Sequence, residues 1–190
     1  MSGFHESRSL RESWAGWLVL GGGLVALISG LTATLTHVHE IIEAGKLYTD
    51  LILPLCVTIT VFAFCLFLFL TMRLEVFIDE TGIRFSFPPF IREREYPWSQ
   101  IRFAWVRKYR VIGEYGGWGY RGIGKRHRAY TMGEKYGIQI VTLDGRDILL
   151  GTARPEAASL ALRLAGKGEP PEEGWSSNRL ASIFKKLKGE

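Results

Sequence analysis

The chain has 190 residues, a formal net charge of +5 at pH 7 and 47% hydrophobic residues. That length gives room for one ordinary domain with accessory segments. The only two cysteines, Cys56 and Cys65, lie nine positions apart in one apolar helical run, which excludes a disulfide between them. The chain also lacks the Cys/His spacing that is typical of a structural metal site.

Two uncharged segments predict transmembrane helices. Residues 13–36 and residues 51–72 contain 24 and 22 residues without Asp, Glu, Lys or Arg, and about 20 apolar residues are enough for a helix to cross a bilayer. A cleaved signal peptide is the alternative for the first segment, but its apolar run is too long and a second one follows closely. Because neither segment carries an ionisable side chain, we expect an anchor rather than an ion-coupled transporter.

The positions of Lys and Arg predict how these helices are oriented. Arg8 and Arg11 precede the first helix, and several arginines follow the second. Residues 37–50 contain a single basic residue of the Lys/Arg type, Lys46. Positive residues concentrate on the cytoplasmic side of a membrane. We therefore expect residues 1–12 to form a cytoplasmic tail, residues 37–50 to form an external loop, and both termini to face the cytoplasm.

After the second helix, the apolar periodicity changes to two, which predicts strands. The pattern indicates six or seven strands in residues 74–167, with hairpin turns at Gly82 and at Asp144 and Gly145. A helix that begins near Pro155 is expected to close this domain. Its predicted apolar stripe consists of Ala157, Leu160, Ala161 and Leu164.

Two strings carry a resemblance to a known family. The string "EYGGWGYR" and the later "YGIQI…LDGRDILLGTARPEAASLALRL", placed after two spans, are similar to an uncharacterised group of bacterial pleckstrin-homology-like membrane proteins. The resemblance implies a multi-pass protein of the bacterial inner (cytoplasmic) membrane. It also implies a membrane α + β fold, with a partly open β-barrel closed by a C-terminal helix. Domains of this class mostly bind lipid headgroups, peptides or other proteins.

The glycine-rich stretch contains a G-x-G-x-x-G pattern at Gly117, Gly119 and Gly122. In nucleotide-binding proteins such glycines lead from a strand into a helix whose N-terminus holds the phosphates. Here no apolar helical stripe follows, and Arg126 stands where a phosphate-binding loop needs Ser or Thr. We therefore do not expect a nucleotide site or any other cofactor.

The same stretch is basic and aromatic, and we take it as the candidate contact surface with a lipid or a partner. Aromatic rings beside cations suit a membrane interface that contains anionic lipid. The alternative is that Trp118 packs as a core residue and the cations form a solvated rim. The candidate residues are Arg107, Lys108, Arg110, Tyr115, Trp118, Tyr120, Arg121, Lys125, Arg126 and Arg128.

The tail is divided into two segments. Residues 168–177 form a polar linker, and residues 178–188 predict a short basic amphipathic helix that rests either on the membrane surface or on the domain. The residues of this predicted membrane-surface helix are Leu180, Ile183, Phe184, Lys185, Lys186 and Leu187.

Together these features predict a membrane-anchored, non-catalytic interaction module with a protein partner or a second copy of itself in the membrane. Anionic-lipid sensing by residues 107–128 is the alternative. A membrane enzyme is less expected, since no Ser/His/Asp or Cys/His set is visible and the one histidine of the domain, His127, lies in the charged stretch. We expect no catalytic residues, no metal at His37 and His39, and no nucleic-acid partner.

Overall fold

The computed structural model describes residues 3–43, 51–123 and 127–170. The chain divides into two compact units. One is helical and comprises Leu10–Met72, and the other combines the first nine residues with the chain from Arg73 onward. Because the second unit draws on both sides of the helical segment, its fold depends on residues that the sequence separates by more than sixty positions.

The helical unit consists of two helices, α1 (Trp14–Glu43) and α2 (Leu53–Thr71). Within them, Trp14–Thr36 and Leu53–Thr71 are long and apolar enough to cross a membrane, with mean hydropathies of 2.0 and 2.6. The helices pack through small residues of α1: a Cβ atom added at Gly30 would lie 3.0 Å from the Thr58 side chain. Close approach through small residues is the usual way in which membrane helices associate.

The first sheet has four antiparallel strands in the order β1-β2-β3-β4. Their bounds are Phe4–Ser9, Arg73–Ile78, Gly82–Phe87 and Ile91–Pro97. The predicted hairpin turn at Gly82 is present between β2 and β3. Strand β1 corrects an expectation. We expected residues 1–12 to be a tail, whereas the structure pairs Phe4–Ser9 with β2 over six residues.

The second sheet has five strands in the order β5-β8-β9-β7-β6. Their bounds are Ile101–Lys108 for β5, Gly119–Ile123 for β6, His127–Thr131 for β7, Tyr136–Thr142 for β8 and Asp147–Thr152 for β9. The hairpin β8–β9 turns at the predicted Asp144 and Gly145. The glycine-rich stretch is the main difference from expectation, since it forms a short helix α3 (Val111–Tyr115) and the hairpin β6–β7, whose strand β7 lies parallel to β9.

The core lies between the two sheets, which are not closed into a barrel. Alternate residues of β2 and β3 are buried, and the Tyr130 ring of β7 packs against Phe85 and Phe87 of β3 at centroid distances of 4.8 and 5.7 Å. Burial of such aromatic side chains is the main apolar contribution to stability in a domain of this size. Tyr130 therefore fixes the inserted hairpin against the first sheet.

A C-terminal helix, α4 (Pro155–Leu164), packs on this core, but with a different face from the predicted one. Ala158 and Leu162 are fully buried, whereas Leu160 and Leu164 are 60% and 63% exposed. The prediction failed because Glu156, Ser159 and Arg163 leave an apolar arc of more than half the helix circumference, and the strands against which α4 packs decide which part of that arc is buried. Leu160 and Leu164, one turn apart on the same side of α4, are therefore left exposed.

Candidate functional site

Arg107, the first cation of the predicted contact stretch, is held within the fold. Its guanidinium lies 2.7 Å from the Glu114 carboxylate and donates hydrogen bonds to Tyr115 Oη at 3.1 Å and to Gln139 Oε1 at 3.0 Å. Glu114 also accepts the backbone N–H of Arg110 at 2.9 Å. The charge of Arg107 therefore fastens α3 to the outer face of β8.

Tyr115 belongs to a second, smaller core on that outer face. It packs with Tyr109, Ala129 and Leu149, and the two tyrosine rings meet edge to face at 6.3 Å. Burial raises the pKa of Tyr115 to about 12, which means that this phenol stays neutral. The sequence placed Tyr115 at an exposed aromatic tip, whereas the structure makes it a packing residue.

The remaining aromatic and basic residues of the stretch are partly displayed. Tyr120 is 42% exposed and stacks on Tyr130 at 5.3 Å, with the Arg128 guanidinium 5.8 Å from its ring centroid. Trp118 is half-buried, and its carbonyl accepts a hydrogen bond from Arg121 Nε at 3.1 Å. The side chains of Lys108, Arg110 and Arg121 are exposed. Lys125 and Arg126 lie outside the described residues.

The glycines of the stretch have local roles in turns. Gly116 ends α3 in the left-handed conformation, with φ at 71°, and its N–H bonds the carbonyl of Ile112 at 3.0 Å. A Cβ atom at Gly122 would lie 2.6 Å from the carbonyl oxygen of His127, so the hairpin β6–β7 admits only glycine there. Helix geometry and close strand pairing thus account for these glycines.

The strongest surface feature is the outer edge of β5. The N–H of Tyr109 bonds the Lys135 carbonyl at 3.2 Å, which continues the β5–β8 pairing. Because outward and inward backbone groups alternate in an antiparallel pair, the backbone groups of Val106 and Lys108 point away from β8. Neither residue makes a backbone hydrogen bond on that side within the described part of the chain. The edge is therefore open at these two positions.

Helix α4 runs beside this open edge and makes it one wall of a groove. A cleft of 480 Å³ lies between Val106–Lys108 on β5 and the first two turns of α4. The exposed side chain of Leu160 lines it. We call this cleft, with the adjoining cleft at the other end of α4, the edge groove. An open backbone ladder beside an apolar side chain is the geometry that accepts an added strand.

The other end of the edge groove is partly covered by the chain itself. Beyond α4, the N–H of Gly168 donates to the Ala104 carbonyl at 2.8 Å, and Lys167 Nζ donates to the Ile101 carbonyl at 3.1 Å. A cleft of 840 Å³ lies here, lined by Phe103 and by the chain from Gly166 to Pro170. Arg163 lines both clefts and joins them into one groove.

The charges around the edge groove are mostly positive. Basic side chains line it along its whole length, and Glu156 and Glu169 are the acids among the described lining residues. A groove of this character favours an acidic, extended segment. Sequence patterns do not reveal this site, since neither the strand order nor the exposed face of α4 follows from local pattern. The basic lining residues are Arg102, Arg107, Lys108, Arg163 and Lys167.

A buried acidic cluster ties β1 to the second sheet. Glu6 is 5% exposed and accepts hydrogen bonds from the Thr152 hydroxyl and from the Ala153 N–H, the latter at 2.9 Å. Glu134 accepts the Met132 N–H at 2.8 Å, and Arg8 Nε lies 3.9 Å from its other oxygen. Burial raises the pKa of Glu134, and the nearby Glu6 adds to that rise.

A third cleft, of 280 Å³, lies beside α4 on the side away from the edge groove. It is lined by Leu164, Phe4 and Trp98 together with two acids, Asp79 and Glu80. Asp79 accepts hydrogen bonds from Thr81, Gly82 and Arg84 that lower its pKa and close the β2–β3 turn. The Asp79 carboxylate therefore stabilises the β2–β3 turn.

The histidine of the domain has one close acidic neighbour. His127 Nδ1 lies 2.7 Å from the Asp147 carboxylate, across the parallel pair of β7 and β9. Within the described residues, no group of three or more His, Cys, Asp or Glu side chains is arranged to hold a metal ion. The predicted amphipathic helix at residues 178–188 lies outside the described residues. Comparison of the chain with protein-family models, with curated proteins and with solved structures found no match.

Proposed function

We propose that the protein is a membrane-anchored interaction module whose β domain captures an extended segment of a partner protein in the edge groove. The open backbone edge of β5 at Val106 and Lys108 carries this proposal. An added strand would bond both positions, while alternate side chains would meet α4. In this proposal α1 and α2 hold the module in a bacterial inner membrane, with both termini in the cytoplasm and a pleckstrin-homology-like fold in the domain.

The chemistry of the edge groove defines the expected ligand. The exposed Leu160 favours an apolar side chain in the partner, and the basic lining favours acids beside it. The backbone edge supplies affinity without sequence preference, since any extended segment has the same donors and acceptors. We therefore expect short acidic segments with one apolar anchor to bind best.

The test uses the full chain in neutral nanodiscs and a displayed library of random eight-residue peptides. Enriched peptides are then measured by fluorescence anisotropy against two matched variants. Leu160→Asp weakens binding about tenfold, because it places a charge at the anchor position, whereas Leu164→Asp leaves binding unchanged. Methylation of alternate peptide nitrogens also abolishes binding, since it removes the donors of an added strand.

Two results would overturn this function. One is a library without any enriched acidic class. The other is an enriched peptide that binds equally well to the Leu160→Asp and Leu164→Asp proteins, because that peptide would bind elsewhere. Circular dichroism of both variants shows whether they remain folded.

Contact with anionic lipid is a second candidate function, carried by the stretch between β5 and β7. Arg110 and Arg121 are exposed and form no ion pair with an acid of the described residues, and the exposed ring of Tyr120 lies near them in sequence. Exposed cations with an adjacent aromatic ring suit a lipid headgroup region. Glu114, the acid of that stretch, already pairs with Arg107.

A further inference from the structure

The edge groove is closed at one end by the chain that follows α4. Gly166 ends the helix with φ at 71°, and the N–H of Gly168 donates to the Ala104 carbonyl at 2.8 Å. This bond uses an outward backbone group of β5, of the kind that Val106 and Lys108 leave open. An added strand that bonds Val106 therefore meets Gly168 at the level of Ala104, which we call the closed end of the groove.

The closed end is a fixed part of the fold. Gly168 has a φ of 105°, and a Cβ atom there would lie 2.9 Å from Arg163 Cγ, so that a side chain would be strained and would meet Arg163. Lys167 makes a second contact with β5, since its Nζ donates to the Ile101 carbonyl at 3.1 Å. The chain therefore closes the groove with two bonds to β5 and with the residue type that the turn requires.

The open part of the edge is short. From Ala104 to Lys108 a strand advances about 13 Å, at roughly 3.3 Å per residue, so that about four residues of a ligand fill it. Helix α4 borders it from Pro155, near Lys108, to Arg163 at the closed end. A ligand that ends at the closed end fits without a bend, whereas a longer one would have to leave the edge there.

Positive charge is concentrated at the closed end. The cations Arg102, Arg163 and Lys167 line the cleft there, and Glu169 is the acid among its described lining residues. Arg102 and Arg163 are exposed and form no ion pair with an acid of the described residues. A carboxylate at the closed end would therefore lie near two such cations, and arginine binds carboxylates through paired hydrogen bonds.

The other end of the groove has no such excess of positive charge. Lys108 lines it together with Glu156, and Arg107 is already paired with Glu114, 2.7 Å away. A carboxylate at this end would meet an acid as well as a cation. The difference in charge between the two ends therefore sets the direction in which a charged chain end binds.

We propose that the edge groove binds the free C-terminus of a partner protein and that Arg163 holds its terminal carboxylate. This inference rests on the proposed function, because it specifies which part of the partner enters the groove. Strand β5 runs from the closed end toward Lys108, so a ligand whose last residue lies at the closed end runs antiparallel to β5. A parallel ligand would instead bring its positive N-terminus against Arg102 and Arg163.

The spacing of two residues on α4 sets where the apolar anchor of the ligand lies. Leu160, which lines the groove, precedes Arg163 by one helical turn, or about 4.5 Å along the helix axis. A strand covers that distance in about one or two residues. We therefore expect the apolar anchor within the last two residues of the ligand, directly before or at its carboxylate.

The experiment uses the full chain in neutral nanodiscs and two displayed libraries of random eight-residue peptides. One library presents a free C-terminus, and the other joins the same peptides to the display protein at both ends. We expect peptides with an apolar residue among their last two positions to be enriched only from the first library. By fluorescence anisotropy, their carboxylate forms should bind about tenfold more tightly than their C-terminal amides, because the amide lacks the charge that pairs with Arg163.

Two variants show whether Arg163 is responsible for this difference. Arg163→Gln removes the cation at an exposed position, and we expect the affinities of the carboxylate and amide forms for it to differ by less than about threefold. Arg92→Gln, at an exposed position of β4, is the matched control and keeps the full difference. Circular dichroism checks that both variants remain folded. Equal binding of both forms to the original chain, or an unchanged difference in Arg163→Gln, would overturn the inference.

The second library separates failure of this inference from failure of the proposed function. If peptides joined at both ends bind as tightly as free ones and Leu160→Asp weakens them, the groove binds internal segments and only the inference is wrong. If neither library yields a peptide that Leu160→Asp weakens, the proposed function is wrong and the inference fails with it.

Discussion

The five-stranded sheet ends in two edge strands with different surroundings. The stretch between β5 and β7, which includes the β6 edge, carries many cations and aromatic rings, but its Tyr115 and Glu114 bond Arg107 of β5 and hold α3 on the sheet. At the β5 edge, the outward backbone groups of Val106 and Lys108 make no hydrogen bond within the described residues and lie beside a helix. A surface rich in cations and aromatic rings can thus be mostly structural, whereas an open backbone edge, which composition does not reveal, offers the binding geometry.

The largest expected effect comes from Arg107→Met, because Arg107 of β5 holds the inserted helix α3 through Glu114. This change leaves Glu114 mostly buried without its guanidinium partner, and removing one member of such a pair costs about 3 kcal/mol. We expect amide exchange in α3 and β6 of the full chain to accelerate more than 100-fold, measured by hydrogen exchange with mass spectrometry. Arg110→Met, at an exposed position, is the control and changes exchange less than threefold. Equal exchange rates in the Arg107→Met and Arg110→Met proteins would mean that Arg107 does not hold α3 on the sheet.

The β5 edge is tested by exchange at single amides. In a chain truncated after Pro170, the amides of Val106 and Lys108 exchange at least tenfold faster than those of Trp105 and Arg107, since the latter bond β8. Residue-resolved NMR of the protein in nanodiscs measures this alternation. Uniform protection along β5 would show that another element covers the edge and would remove the basis of the edge groove.

Glu134, in the turn between β7 and β8, makes the stability of the β domain depend on pH. Its pKa is raised in the fold by burial and by Glu6, against the opposing effects of Arg8 and the Met132 N–H. The group therefore adds stability below its ordinary pKa, and this contribution is lost as pH rises through the raised pKa. Glu134→Gln should remove that loss, so that the variant gains stability over the original chain as pH increases.

Urea unfolding of the full chain between pH 4 and pH 8 measures this difference. Glu93→Gln, at an exposed strand position of β4, is the control and leaves the pH profile unchanged. A Glu134→Gln profile parallel to that of the original chain would contradict the raised pKa.

The sequence predicted the elements that depend on local pattern. The two apolar helices and the hairpins at Gly82 and at Asp144 and Gly145 follow from hydropathy and turn chemistry, and the structure contains all of them. Helix α1 continues to Glu43, beyond the uncharged segment that predicted it, because a helix does not end where polarity begins unless a cap or proline stops it.

The missed elements depend on partners distant in sequence. Strand β1 has polar residues on its inner side, Glu6 and Arg8, which no hydrophobic alternation would place inside a fold. Their partners, Thr152 and Glu134, lie more than 120 positions away. A fragment of residues 74–167 would lack β1 and its contacts with Thr152 and Glu134. The edge groove was missed for the same reason, since strand order decides which edge is open.

The smallest expected effect concerns lipid at the β6 edge. Each exposed cation near an anionic leaflet contributes about 1 kcal/mol, so Arg121→Gln, which removes one cation from β6, should reduce protection of β6 in anionic nanodiscs only about fivefold. Neutral nanodiscs, in which the variant and the original chain exchange alike, are the control, and added salt should cancel the difference. If β6 exchanges equally in anionic and neutral nanodiscs, the cations at this edge are solvated and do not contact lipid. If instead protection in anionic lipid disappears with Tyr120→Ala alone, the ring rather than the charge makes the contact, and the lipid function would then rest on one exposed aromatic side chain.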